Sequence, residues 1–378
     1  MSKKIIYVIK SLRAGGAERH LFDVANDLRL DGWSVSVVIL TSSTPGDATD
    51  MAVQFRAAGI DVITLDTKGY GFWYEPVRWF RLLLFVRKLQ PDLMHSHLPR
   101  PDFAAGLVKK LLTKVVWVST VHDAYIRGVY SAHWAEPILR IGWRRCDRII
   151  AVSTYVENWI KEDSKLSPMK VLVIPHGIDV SAVNRALKKD EGRVTNRVGT
   201  LARFEKRKGL MTLIKAAPSI VSECPKTKLV FAGNDPHGYS NDLIQESRRL
   251  SIDHHVEILQ FVNDPMGYLH SLDVFVHASE AEGFGIVVLE AMAVGLPVVA
   301  SDIEPLNQIV EDGVTGFLVP PGDHNGFAAA VSSLLKNVEL RSRMGMAGKR
   351  RVEIYFDRKG SFERLKALYT EACFKGKF

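Results

Sequence analysis

The stretch DVFVHASEAEGFGIVVLEAMAVGLPVVAS, Asp273 to Ser301, reads as a strand, a loop, a helix and a second strand. DVFVHAS is the first strand and EAEGFG the loop at its carboxyl end; a helix starts near Phe284, and LPVVAS closes the unit. Backbone N–H groups of Phe284, Gly285 and Ile286 at the start of that helix form a ready anion site. Gly283 and Gly285 let the backbone approach a ligand closely. Glu282 lies just before the helix and Glu290 about two turns into it. Glu290 falls inside a run, Ile286 to Val294, that is otherwise apolar on every side of a helix. A carboxylate taken out of water without partners costs several kcal/mol, on the order of a whole domain's margin of stability. Its hydrogen-bond donors must come from the protein or from a ligand. An anion on the helix N-terminus flanked by two carboxylates asks for a ligand with a diphosphate in its middle and hydroxyl-bearing sugars on both sides.

Working outward, the same alternation fills the chain. KKIIYVI, VSVVIL, DVITLD, DLMHSH, VVWVSTVHD, DRIIAVS and VLVIP are strand-like runs in the first half, separated by amphipathic stretches. RVGTLARF, KLVFAG, HVEILQF, DVFVHA, LPVVAS and GFLVP repeat the pattern in the second. Short β-branched runs alternating with helical segments predict parallel sheets covered by helices on both faces. Two such domains are expected, 1–190 and 191–378, joined through the polar, strand-free DVSAVNRALKKDEGRVTN. A last helix at about 357–378 is expected to pack back on the first domain. Ligands bind outside the carboxyl ends of such strands, so a cleft between two facing domains is the expected place of the chemistry.

Composition narrows the class. With 378 residues, 47% hydrophobic and 24% charged, the chain is globular and long enough for two cores. Three scattered cysteines, Cys146, Cys224 and Cys373, lack the spacing of a zinc or redox motif and read as reduced thiols. No apolar run is long enough to span a bilayer, and the N-terminal run is too short for a signal peptide, so a cytoplasmic location is expected. The net charge of +8 lies wholly in the first half, where 27 Lys and Arg face 19 Asp and Glu. An anionic partner follows, whether a phosphorylated substrate, a membrane surface or nucleic acid.

A second constellation favours the phosphorylated substrate. RVGTLARFEKRKGL, Arg197 to Leu210, is a strand, loop and helix that places Arg203 and Lys208 at a strand's carboxyl end. A guanidinium fork and a point-charge ammonium there can neutralise a departing diphosphate; a solvated basic loop is the alternative. In the first half Gly15 and Gly16 follow the first strand and open a helix, a weak signal on its own. His122 ends the strand in STVHDAY. His95 and His97 share a strand face in MHSHLP, which invites a metal. No third ligand stands at useful spacing, so a packed or acceptor-side pair is the better reading.

Together SEAEGFGIVVLEAMAVGLPVVASD, ARFEKRKG, SLRAGGAERH and IPHGID resemble the retaining glycosyltransferases of family four, over nearly the whole chain. The resemblance implies the GT-B fold of two facing Rossmann-like domains, the first for acceptor and the second for donor. It implies that Glu282 contacts the transferred sugar, that Glu290 holds the nucleotide ribose, and that Arg203 and Lys208 bind the diphosphate. It places Gly15 and Gly16 near the donor phosphate, sets His122 beside the donor sugar, and adds Val262, Gly283, Phe284, Gly285 and Ile286 to the donor-binding set. His122, Glu282, Arg203 and Lys208 are the catalytic candidates. Two departures stand out. His176 in IPHGID replaces an Asn common in the family, and DIEPLNQIV, with Asn307 and Gln308, replaces a Gly-Gly pair and a Glu.

The expected reaction is transfer of a hexose or related sugar from a nucleoside diphosphate sugar to an acceptor hydroxyl with retention. No carboxylate is placed for a double displacement, and the resemblance implies a front-face reaction in which the leaving phosphate takes the acceptor proton. No cofactor and no metal are expected, since no Asp-x-Asp pair is present. The expected acceptor is a glycan, a lipid-linked sugar or a small molecule. Arg78, Arg81 and Lys88 fall in one sector of about 80° of a helix and suggest contact with an anionic membrane; nucleic acid is not expected. An epimerase or phosphorylase on the same fold and a non-catalytic nucleotide-sugar sensor are the rivals. A Rossmann dehydrogenase is disfavoured because neither half has GxGxxG.

Overall fold

The computed structural model describes residues 2–13, 15–41, 50–65, 75–124, 136–162, 166–186 and 196–375. The chain divides into two compact units, Met1–Pro175 with Ser361–Phe378, and His176–Gly360. The division falls at Pro175, ahead of the position near 190 expected from the polar stretch. Residues 187–195 of that stretch lie outside the described residues, and its earlier part forms the helix Val180–Ala186, inside the second unit. Polarity marked the segment as exposed, not as the crossing point.

In the first unit seven strands, β1 (Lys4–Ile9), β2 (Ser34–Ile39), β3 (Asp61–Thr64), β4 (Leu93–His97), β5 (Val116–Val121), β6 (Arg148–Ala151) and β7 (Val171–Val173), form one sheet. Its order is β3-β2-β1-β4-β5-β6-β7 and every pairing is parallel. The second unit has β8 (Arg197–Leu201), β9 (Lys228–Ala232), β10 (Val256–Leu259), β11 (Val274–His277), β12 (Val298–Ser301) and β13 (Gly316–Val319), in the order β10-β9-β8-β11-β12-β13, again all parallel. Among the described residues these strands are the strand-like runs read from the sequence. Central strands such as β4 and β5 are buried at every residue, the outcome of helices on both faces.

Each sheet has one topological switch point, where the order runs outward in both directions. It lies between β1 and β4 in the first unit and between β8 and β11 in the second. The loops leaving these strands diverge to opposite faces and open a crevice at the carboxyl edge. Arg203 and Lys208 follow β8 and Glu282 follows β11, so both loops flank the same switch point.

The last helix, Arg358–Lys375, runs into the first unit's core. Leu365, Leu368, Tyr369, Ala372 and Cys373 are buried among Ile5, Tyr7, Ile9, Leu93 and Val118. Among the described residues no helix is long and apolar enough to cross a membrane.

Candidate active site

Glycine geometry brings the two loops at the second switch point into contact. Gly209 has φ +63, and a Cβ there would drive into the carbonyl oxygen of Ala278, so only glycine lets the basic turn Lys206–Lys208 close on the loop after β11. Glu280 N–H then donates to the Arg207 carbonyl at 2.8 Å. Lys208 Nζ donates to Glu282 Oε1 at 2.5 Å, and His277 Nε2 lies 2.7 Å from the same oxygen. Glu282 is buried. Burial, the largest influence on its carboxyl, raises the pKa; the Lys208 charge and the His277 hydrogen bond together outweigh it and hold the group well below the usual carboxylate range. An ionised, anchored carboxylate beside an ammonium is the result.

Arg203 stands at the end of the same strand but is turned outward: its side chain is 59% exposed and pairs with Glu205 at 3.2 Å. Arg207, which the sequence reading passed over, is tied to Glu205 and to the Ala281 carbonyl and braces the loop. Gly285 takes φ +100 and caps a helix that spans Ile286–Ala293. This left-handed residue delays the helix past Phe284, so Glu290 is its fifth residue, little more than one turn in instead of two. Glu290 is 8% exposed among Val288, Leu289, Ala291 and Met292. A Cβ on Gly285 would lie 2.7 Å from Leu306, which sets the departing segment DIEPLNQIV, with its helix Leu306–Ile309, directly against the anion-site turn. Gly283 and Phe284 are buried in the same loop, Ile286 is half-buried, and Val262 is half-buried between β10 and the helix Pro265–His270. His176 packs edge-on against Phe284, with ring centroids 5.3 Å apart.

The first unit gathers histidines at its own switch point. Gly15 is extended and caps the helix Gly16–Leu30. His95 is locked at both ring nitrogens, Nδ1 to Tyr369 Oη at 2.5 Å and Nε2 to Thr120 Oγ1 at 2.8 Å. This engagement accounts for His95 as a packed residue. His97 Nδ1 lies 2.9 Å from His122 Nε2. Burial first, then the charge of His20, lowers the His122 pKa, although the residue is only half-buried. Among the described residues no group of three or more His, Cys, Asp or Glu is arranged to hold a metal ion.

His277 is the residue that sequence reasoning missed. It ends β11, where a strand buried at every position has no packing reason to carry an imidazole, and it stands five residues before Glu282. That mismatch was the signal.

The family model for Glycosyltransferase Family 4 matches residues 14–182, and that for Glycosyl transferases group 1 matches residues 185–351. The chain belongs to glycosyltransferase family four. The enzyme is 28% identical over 352 residues to the phosphatidyl-myo-inositol mannosyltransferase of Mycobacterium tuberculosis, covering 90% of this chain and 89% of that one. It is 24% identical over 304 residues to the capsular polysaccharide biosynthesis glycosyltransferase CapM of Staphylococcus aureus, covering 77% and 79%. Among solved structures, Anabaena HepE in complex with UDP and glucose superposes with a TM-score of 0.84 at 20% identity, over 98% of this chain and 100% of that chain. The sucrose-phosphate synthase of Thermosynechococcus elongatus superposes with a TM-score of 0.79 at 23% identity, over 98% and 99%. The glycosyltransferase thus has the GT-B fold, with two Rossmann-like domains.

Proposed function

We propose that this glycosyltransferase moves a hexose or related sugar from a nucleoside diphosphate sugar to an acceptor hydroxyl, with retention and without a metal ion, in cell-surface glycan or glycolipid assembly. The observation that carries the reading is the Lys208 ammonium held against ionised Glu282 at the second unit's switch point, beside the turn that opens the helix Ile286–Ala293. A diphosphate arriving there competes for the ammonium and for the backbone N–H groups. The acceptor oxygen bonds to the anomeric carbon on the face the diphosphate leaves, the carbon–oxygen bond to phosphate breaks, and the acceptor proton passes to the departing phosphate oxygen. Lys208 and Arg203 stabilise the charge that grows on that oxygen. Glu282 orients sugar hydroxyls and Glu290 accepts from the ribose; donor-binding roles for Gly15, Gly16 and His122 follow from the family resemblance alone. The similarity to a phosphatidyl-myo-inositol mannosyltransferase and to a capsular polysaccharide biosynthesis glycosyltransferase supports this class of product.

The test is release of nucleoside diphosphate from UDP-, GDP- and ADP-sugars, with and without acceptor extracts, with the anomer of the product read by NMR. Acceptor-dependent release with retained configuration, unchanged by EDTA, is the expected result. Release that EDTA abolishes and manganese restores overturns the metal-free reading. Conversion of the donor without nucleotide release marks an epimerase, and binding without turnover marks a sensor.

An anionic membrane as the site of the acceptor is favoured by one surface of the first unit. The helix Glu75–Leu89 exposes Val77, Phe80 and Leu84 beside Arg81, Arg87 and Lys88. Arg78, expected on that face, is instead buried and paired with Glu75 at 3.0 Å. An arginine with a glutamate three residues earlier found its partner within the helix, and Arg87 takes its place outside. The aromatic Trp73 and Tyr74, just ahead of this helix in the sequence, lie outside the described residues.

A further inference from the structure

We infer that His277 is a positioning residue that holds Glu282 in place when Lys208 turns to the substrate phosphate, an inference that rests on the transferase reading. Both contacts to Glu282 fall on one oxygen: Lys208 Nζ and His277 Nε2 meet at Oε1, and no bond among the described residues reaches Oε2. One carboxylate oxygen is therefore anchored and the other is left to a ligand. An ionised carboxylate only accepts, so His277 Nε2 carries the proton. His277 Nδ1 is buried, and no hydrogen-bonding group among the described residues satisfies it. The imidazole gives its one useful hydrogen bond to Glu282, and leaving Nδ1 unsatisfied is tolerated for it.

The two donors to Oε1 differ in mobility. Lys208 ends a flexible side chain in a turn closed by a glycine, whereas His277 is the last residue of a central strand, 2% exposed. As charge develops on the departing phosphate, the ammonium is drawn from the carboxylate to that charge. Without His277, Glu282 would then be a buried carboxylate with no donor on Oε1, free to change rotamer while the sugar hydroxyl needs it still. With His277 the carboxylate keeps one fixed hydrogen bond through the transfer. The role belongs to the transition state more than to ground-state binding, and that separates it from simple packing.

The experiment compares wild type, His277→Leu and His277→Gln in donor KM, kcat, affinity for the nucleoside diphosphate, and thermal unfolding. Glutamine places an N–H near the position of Nε2, while leucine fills the space without a donor. The expected result for His277→Leu is a fall of about ten- to a hundredfold in kcat, with donor KM and product affinity within about threefold of wild type. His277→Gln is expected to recover most of the lost rate. Equal kcat in all three proteins overturns the role. So does an equal loss in both variants that tracks a lower unfolding temperature, since that is packing alone. A wild type that turns over no nucleotide sugar overturns the transferase reading itself and the role with it.

Discussion

Lys208 and Glu282 hold each other in the absence of substrate, and that pairing makes each residue's substitution a test of the other. Removing the ammonium leaves a buried carboxylate on one hydrogen bond, a situation that costs roughly 3 kcal/mol in comparable buried pairs. Lys208→Ala is therefore expected to lower stability, and adding Glu282→Gln to it is expected to restore most of that loss, because an amide needs no counter-charge. Denaturant midpoints of the two single variants and the double variant read the coupling directly. Transfer should stay slow in the double variant, since restoring stability does not return a cation to the phosphate. Glu290 offers a second test. Glu290→Ala is expected to weaken nucleotide-sugar binding more than binding of inorganic diphosphate, by about 1–2 kcal/mol if a hydrogen bond from ribose to the carboxylate is lost. Calorimetry with the two ligands separates the cases, and equal losses would place Glu290 in the structure instead of the nucleotide site.

Among the elements, strands were legible and the exact faces of helices were not. Most strands announced themselves as β-branched runs, because a strand buried on both faces in a parallel sheet is largely apolar; β4, Leu93–His97, is buried throughout yet carries His95, Ser96 and His97. The helix after Glu282 began later than read, because the sequence shows that Gly285 can adopt φ +100 but not that it does. For the helix Glu75–Leu89 the period placed Arg78 outward; its ion pair with Glu75 turned it in. The pairing of Glu282 with Lys208, 74 residues apart in the chain, was open to sequence only as an expectation that two loops share one edge. The exposed face of Glu75–Leu89 carries its own prediction. Arg81, Arg87 and Lys88 changed together to Glu are expected to abolish sedimentation with anionic vesicles at low salt, each basic residue contributing about 1 kcal/mol there. Phe80→Ser is expected to weaken binding with little change in its salt dependence. Wild-type protein that fails to sediment with such vesicles at low salt removes the membrane from the reading.

At the scale of the whole molecule, a buried acid links stability to pH. Asp102 accepts from Ser96 Oγ at 2.6 Å, Ser119 Oγ at 2.9 Å and Trp143 Nε1 at 3.1 Å, joining a helix to β4 and β5. Burial pushes its pKa up to about 7, and the three donors only moderate the rise. A folded pKa above the unfolded value means the native state holds the proton more tightly, so this contribution is complete below about pH 4 and is lost as pH rises through about 7. The change is on the order of 4 kcal/mol at most. His122, whose pKa burial lowers, adds stability as pH rises through the same window, and it does so in both proteins, so the difference between wild type and Asp102→Asn isolates Asp102. Between pH 5 and 8 the denaturant midpoint of wild type is expected to fall relative to that of Asp102→Asn, and parallel profiles would show that the charged form is as well held as the neutral one.

The placing of the helix Arg358–Lys375 also sets an order of events in the cell. Tyr369 supplies the hydroxyl that meets both Tyr7 and His95, at 3.2 Å and 2.5 Å, and its neighbours Leu365 and Leu368 close the core over β1 and β4. A ribosome makes the strands of the first unit long before it makes this helix. Until then Tyr7 and His95 have lost a partner and the apolar face that the helix covers is open to water or to chaperones. The second unit, by contrast, has its sheet and its core cluster within His176–Gly360 and can close before this helix is made. The first unit to be synthesised is thus the last to finish folding, and a chain cut before Leu365 loses the native state of the half that was made first.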